Sequence, residues 1–442
     1  MRQALVSQSQ ARPAVKRSAP SLMSLSGTPL TFLLTGFTWL SVSFLLGIAL
    51  IIGLVYGTPL PRWLRPVHVH GALVGGILQL AIGGLLLSVA RASDRKDADV
   101  QSHTALFLAW NGATAALLLG FWLANMTIVG LAGLLLAATV LSLSKTAWIH
   151  FGKAADAGGM YRIALAALFG GLVAGMAMAF RLTEGFYAHA RLGHIHLIVL
   201  GCLTLSLLVA SYQFLPLLLR TPPVLGSMSR VALWFLPAGF AVLLGAFLLS
   251  AVWLQLAVGC LLVASITLWT VHLVATWLKA GSPGTAAIDH LLIGATFLVL
   301  ATATGLAMGA NYLRSPPFLP IGSLHLVAYT HLAFIGFLTQ VICGGLSYVV
   351  PDLLTASRVQ NHAKREVYRT QLDRIMNRWR AVQLTGLSLG TIALSVLASL
   401  TWTVPLGSPY VQTSVWVAAG LLLASLALFA AKLAWAVGLR PS

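Results

Sequence analysis

Twelve apolar stretches, each about twenty residues or longer, set the limits on how this chain can fold. They run over 30–56, 67–90, 104–124, 127–148, 160–181, 189–217, 231–251, 253–278, 288–313, 323–350, 381–403 and 412–438. A helix rising about 1.5 Å per residue needs about twenty such residues to cross about 30 Å of hydrocarbon. Each stretch is long enough to span a bilayer. Only 8% of the 442 residues are charged and 58% are hydrophobic, with a mean hydropathy of +0.90. That balance excludes an ordinary soluble domain. The sequence predicts an all-α polytopic membrane protein of twelve transmembrane helices.

The net charge of +18 would suit a nucleic-acid partner if it lay on one soluble face. It sorts by loop instead, which argues against nucleic acid and for a lipid bilayer. With the N-terminus in the cytoplasm, 22 of the 27 Lys and Arg fall on inside loops and tails. Arg62, Arg65, Arg181, Arg191 and Arg314 are the outside remainder. The positive-inside rule then puts both termini in the cytoplasm of a bacterial inner membrane. Residues 1–28 read as a disordered basic tail, with no short apolar segment of the kind a removable signal carries. Residues 29–442 read as one membrane domain. Within it, the loop 351–380 is expected to hold a helix lying on the anionic inner leaflet.

A repeat underlies the spans. His331 is followed at five residues by Gly336, at thirteen by Gly344 and at twenty by Pro351. His196 has Gly201 at five and Pro216 at twenty, and His70 has Gly75 at five and Gly83 at thirteen. Gln79 and Gln340 both stand nine residues after their histidines. His70, His196 and His331 themselves recur at nearly equal intervals along the chain. The recurrence divides the spans into three blocks of four, at about 30–149, 160–279 and 288–438, expected around a pseudo-threefold axis. In each block the histidine opens the second helix.

Seven histidines (His68, His70, His189, His194, His196, His325, His331) fall in the outer half of this arrangement. Neutral imidazole is well suited to bind iron, copper or zinc. A b-type haem inside a bundle needs axial histidines from helices that face one another at one depth. Residues two apart on a helix differ by about 200°. His68 and His70 therefore point to opposite sides, as do His194 and His196, and only one of each pair can face a given site unless the helix separates two sites. The glycines would allow close helix packing, and Pro216 and Pro351 would end their helices. Gln79 and Gln340 would hydrogen-bond between helices, Cys202, Cys260 and Cys343 would serve core packing, and His272 would be a helix contact. All nine acidic residues lie at span ends or in loops, which weighs against a carboxylate proton relay or an ion-coupled carrier.

LRPVHVHGALVG (64–75) resembles the opening of helix two in the catalytic subunit of the C-type haem–copper oxidases, where Arg-Pro-x-His supplies a low-spin haem ligand. THLAFIGFLTQVICGGLSYVVP (330–351) resembles helix ten of that family and of the nitric oxide reductase large subunit. GHIHLIVLG and YQFLP (193–216) are similar to helix six. The resemblance implies a twelve-helix haem–copper oxidase subunit I fold. It makes His331 one axial ligand of a low-spin haem b and His68 the other, whereas the internal repeat favours His70. It makes His194 or His196 a ligand of copper or non-haem iron.

The chain also departs from that pattern. Tyr329 stands where the family's high-spin haem ligand lies, and the seventh span (VALWFLPAGFAVLLGAF) has no histidine. The resemblance thus implies a bis-His haem b without an evident oxygen-reducing centre. His325 or Tyr329 are the residues that could complete a second metal site, leaving a second haem or copper open. Arg62 and Arg65 are placed to pair with haem propionates. The function expected is single-electron transfer in a respiratory or nitric-oxide-related complex, with other complex subunits or a cytochrome or quinol donor as partners, akin to the NnrS-type haem membrane proteins. The alternatives are a terminal oxidase or nitric oxide reductase subunit completed by other ligands, and a twelve-helix secondary transporter.

Overall fold

A computed structural model describes residues 28–92, 100–151, 157–221, 227–311, 313, 323–401 and 403–441. The predicted tail at 1–28 thus falls, but for Thr28, outside the described residues. Backbone N–H and C=O groups have no water to bond in hydrocarbon, so a spanning segment must satisfy them internally. The described residues are accordingly helical, with no strand. Twelve helices are long and apolar enough to cross a membrane. The chain is a polytopic all-α membrane protein, as its apolar stretches predict.

The first block comprises α1 (Pro29–Val55), α2 (Leu64–Ala92), α3 (Val100–Trp122) and α4 (Met126–Phe151). The second comprises α5 (Ala157–Ala179), α6 (Tyr187–Leu219), α7 (Ser227–Leu248) and α8 (Val252–Lys279). The third begins with α9 (Ala286–Asn311) and α10 (Ser323–Arg358). A helix at the surface, α11 (His362–Asn377), follows, and α12 (Arg380–Leu400) and α13 (Pro409–Gly438) complete the chain. Chemistry at the termini explains where the helices start and turn. Thr28 caps α1, its hydroxyl accepting from the Thr31 amide, with Pro29 in the first position where a missing N–H costs nothing. The reversals between α3 and α4 and between α7 and α8 use left-handed Ala124 and Ser250. There the Asn125 amide donates to Gly120 at 2.8 Å and the Ala251 amide to Ala246 at 2.9 Å, closing otherwise unpaired carbonyls.

The packing order repeats. α2 packs on α1 and α3, α6 on α5 and α7, and α10 on α9 and α12. Between blocks, α4 packs on α5, α8 on α9, and α13 returns to α1, so the helices close into a ring. The histidine helices α2, α6 and α10 are held by their own blocks rather than by one another.

Each of those three helices also changes its winding at one place. Gly71–Leu78, Leu197–Thr204 and Leu332–Thr339 are π-helical, and each begins immediately after His70, His196 or His331. The change of winding therefore recurs in step with the histidines. A π turn shifts the backbone bond to five residues back and frequently marks a functional site. The hydroxyls of Thr204 and Thr339 bond the carbonyls five residues earlier, Val199 at 2.9 Å and Phe334 at 2.8 Å. In α2 the Trp110 indole reaches into the π segment instead, donating to the Val74 carbonyl at 3.2 Å.

Two local expectations need correction. Pro216 and Pro351 do not end their helices: α6 continues to Leu219 and α10 to Arg358. The chain stops instead where polar groups arrive, with Arg358 donating to the carbonyls of Val437 and Leu439 at 2.9 and 2.7 Å. Cys202 and Cys343 are buried as expected, but Cys260 is exposed on α8. The segment 351–380 does hold a separate helix, α11. In α11, Tyr368, Leu372, Ile375 and Met376 make one buried stripe at helical spacing. Arg369 ties it to α10 through Asp352 at 3.1 Å.

The repeat glycines are seats for neighbouring side chains. A Cβ at Gly336 would strike the Phe297 ring of α9, whereas one at Gly345 would meet nothing within 4 Å. Gly336→Leu is therefore expected to cost about 1–3 kcal/mol by overpacking and lower the unfolding midpoint in detergent. Gly345→Leu should stay within about 0.5 kcal/mol. Equal effects of the two would show that the α9–α10 contact is not close-packed.

Candidate functional site

Five imidazoles of the predicted constellation lie in the opening turns of α2, α6 and α10, all half-buried. Each uses Nδ1 in the same way. His70 donates to the Pro66 carbonyl at 2.9 Å, His196 to Leu192 at 2.9 Å and His331 to Val327 at 2.6 Å, each four residues back in its own helix. His68 and His194 donate across to the preceding helix, to the carbonyls of Ser43 at 2.6 Å and Gly171 at 2.7 Å. A carbonyl only accepts, so each bond puts the proton on Nδ1 and leaves the Nε2 lone pair outward. None of these Nε2 atoms has a hydrogen-bond partner among the described residues.

Glycines explain how the cross-helix rings fit. His68 lies against Gly47 of α1, where a Cβ would sit 2.6 Å from its Cε1. His194 lies against Gly175 of α5 at 3.0 Å, and Tyr329 against Gly305 of α9 at 2.9 Å. Tyr329 thus occupies in the third block the seat that a histidine takes in the first two.

The rings meet across block boundaries. The His70 and His194 rings stand 6.5 Å apart, centroid to centroid, at 27°. His68 and His70 thus look to opposite sides of α2, as their two-residue separation on a helix requires. His196 turns the other way from His194, against Phe247 of α7 at 4.7 Å. The Tyr329 hydroxyl makes no hydrogen bond among the described residues. His325 belongs to α10, but its side chain falls outside the described residues. His189 is engaged elsewhere, at 2.9 Å from the Ser250 hydroxyl. Arg62 and Arg65, at the mouth of α2, are exposed. No three His, Cys, Asp or Glu among the described residues gather closely enough to hold an ion unaided.

A second polar cluster lies toward the α11 end, and the sequence reading did not assemble it. Lys432 of α13 is 4% exposed, in a span that carries no acidic partner. Its Nζ donates to Gln383 Oε1 at 2.7 Å and to the Met376 carbonyl at 3.3 Å. That bond fixes the amide: Gln383 Nε2 donates to His290 Nε2 at 3.1 Å. His290 Nδ1 in turn donates to Gln340 Oε1, and Gln340 Nε2 to the Ser388 hydroxyl at 3.0 Å. Every bond runs in one direction, from Lys432 through two amides and an imidazole to Ser388. Gln340 thus bonds between helices, as its position predicts. Gln79 does not: both its amide atoms are buried without a partner among the described residues. The visible sequence signal was a lone lysine near the end of the last apolar run. His272 is a helix contact, 5.8 Å from the Tyr212 ring.

Fold and site together define a class: a polytopic helical membrane protein whose histidine helices enclose imidazoles with free Nε2 atoms. Neither models of known protein families nor curated proteins yield a match to this chain.

Gln383→Leu would break the polar chain at its centre, leaving Lys432 with one carbonyl and His290 Nε2 with none of its bonding. Hydrogen bonds to a charged group are worth about 1.5–3 kcal/mol, and a loss of that order is expected in equilibrium unfolding in detergent. Wild-type stability in this variant would show that the chain does not support the fold.

Proposed function

We propose that this chain is a haem-binding integral membrane protein, with a haem–copper oxidase subunit I-like arrangement of three four-helix blocks about a pseudo-threefold axis. In this reading, it carries a bis-His low-spin haem b between His68 and His331 and passes single electrons in a respiratory or nitric-oxide-related complex. The observation that carries the reading is the common tether of the imidazoles. Nδ1–H donated to a carbonyl sets the tautomer, orients the ring and raises the basicity of Nε2, which is how metal-bound histidines are ordinarily supported. The donor set fits the group: a haem iron takes two axial nitrogens, and His68 and His331 approach from separate helices.

The chain's own residues have distinct parts here. Ser43 and Val327 hold the two rings through their carbonyls, and Gly47 gives the His68 ring its seat. Arg62 and Arg65 precede His68 by six and three residues, are exposed at the start of α2, and would be available to pair with haem propionates. Bound haem would supply a one-electron couple, tuned by the burial and basicity of these ligands. The absence of histidine from α7 and the presence of Tyr329 favour an electron-transfer role over oxygen reduction. Loop charges support a bacterial inner-membrane location with both termini cytoplasmic. Other subunits of the complex, with a cytochrome or quinol as donor, are the partners this role requires.

Reduced-minus-oxidised spectra of the purified protein test the assignment. The wild type should show a b-type alpha band, and His331→Ala and His68→Ala should each lose the component that belongs to this pair. A protein without any haem band, or a spectrum unchanged in both variants, would overturn the reading.

A further inference from the structure

His70 and His194 form a pair that the low-spin site does not use. Their Nδ1 atoms are committed to the carbonyls of Pro66 and Gly171, and their Nε2 atoms are unpartnered among the described residues. The pair is built like the first. His68 and His194 are both tied to the preceding helix and seated on a glycine, whereas His331 and His70 are both tied four residues back in their own helices. Each pair takes one ring of each kind, from helices of different blocks. The third such pairing would join His196 with position 329, where Tyr replaces the imidazole.

The spacing selects what the pair can hold. Imidazole nitrogen bonds a first-row metal at about 2.0 Å, and the ring centroid lies about 1.1 Å behind it, so two imidazoles trans across one iron stand about 6.2 Å apart. The observed separation is 6.5 Å, with planes 27° from parallel. Rings in face-to-face contact would be much closer. The two rings come from helices that pack chiefly on their own neighbours, α2 on α1 and α3 and α6 on α5 and α7. On one side the Phe121 ring lies 4.5 Å from His70 and provides an apolar wall.

A bare ion between two imidazoles would lack ligands. No third His, Cys, Asp or Glu joins them among the described residues, and zinc or copper in a protein ordinarily takes three or four. A tetrapyrrole brings four nitrogens of its own and needs only two axial ones.

We infer that His70 and His194 are the axial ligands of a second haem, held between α2 and α6 on the far side of α2 from the first. The inference rests on the reading of this chain as a haem protein, but on a different pair of residues, so the two can fail separately.

Haem per polypeptide, measured as the pyridine haemochromogen on the purified full-length protein, provides the test. Two haems are expected in the wild type, one in His194→Ala or His70→Ala, one in His331→Ala, and none in His194→Ala combined with His331→Ala. Low-spin bis-imidazole signals in electron paramagnetic resonance should fall by half in each single variant. His194→Met, which keeps bulk and a ligand atom, should retain the haem with a changed axial signature, separating ligation from folding. A wild type with one haem, lost in His331→Ala and kept in His194→Ala, would overturn this inference and leave the low-spin site standing. One haem lost only in the His70 and His194 variants would uphold the inference and sink the low-spin assignment. Copper or zinc lost with His194→Ala in place of haem would also overturn it.

Discussion

Donation of an imidazole Nδ1–H to a backbone carbonyl is the interaction on which the histidine-bearing ends of α2, α6 and α10 depend. It occurs five times, and each time it does two things. A ring free to rotate about two bonds becomes a fixed one, and its remaining lone pair is directed away from its carrier helix. Helices satisfy their carbonyls internally, so a side chain can reach one only as a second bond or where the ladder is loosened. The tether residues Pro66, Leu192 and Val327 each lie four positions before a histidine that borders a π segment. The loosening of the winding and the ordering of the ring are adjacent in the chain.

Small residues complete the arrangement. Gly47, Gly175 and Gly305 let an aromatic ring lie directly on the preceding helix, bringing the two backbones close without a hydrophobic force that lipid would not supply anyway. Each histidine helix is thereby fastened to its own block.

The chain from Lys432 to Ser388 shows how the same membrane interior accommodates a charge. Among the described residues no carboxylate pairs with Lys432. Its protons are taken by an amide oxygen and a carbonyl, and the amide hands polarity on through His290 and Gln340. Burying a cation without hydrogen bonds would cost several kcal/mol, and α11 contributes to meeting that need through the Met376 carbonyl. This surface helix therefore satisfies polar groups of the membrane domain as well as covering it.

The sequence by itself determined that the chain is helical and polytopic, because runs of about twenty apolar residues have no other stable form in hydrocarbon. It also determined which histidines recur, since the near-equal intervals between His70, His196 and His331 are countable in one dimension. Only the tertiary structure decided how they are used. Whether His68 or His70 looks toward His331 depends on the rotation of α2 about its axis, and a π segment alters that rotation without a composition signal of its own. The pairing of His70 with His194, and of Lys432 with Gln383, joins residues far apart along the chain. Contacts over such separations are set by how helices pack, which no local spacing records.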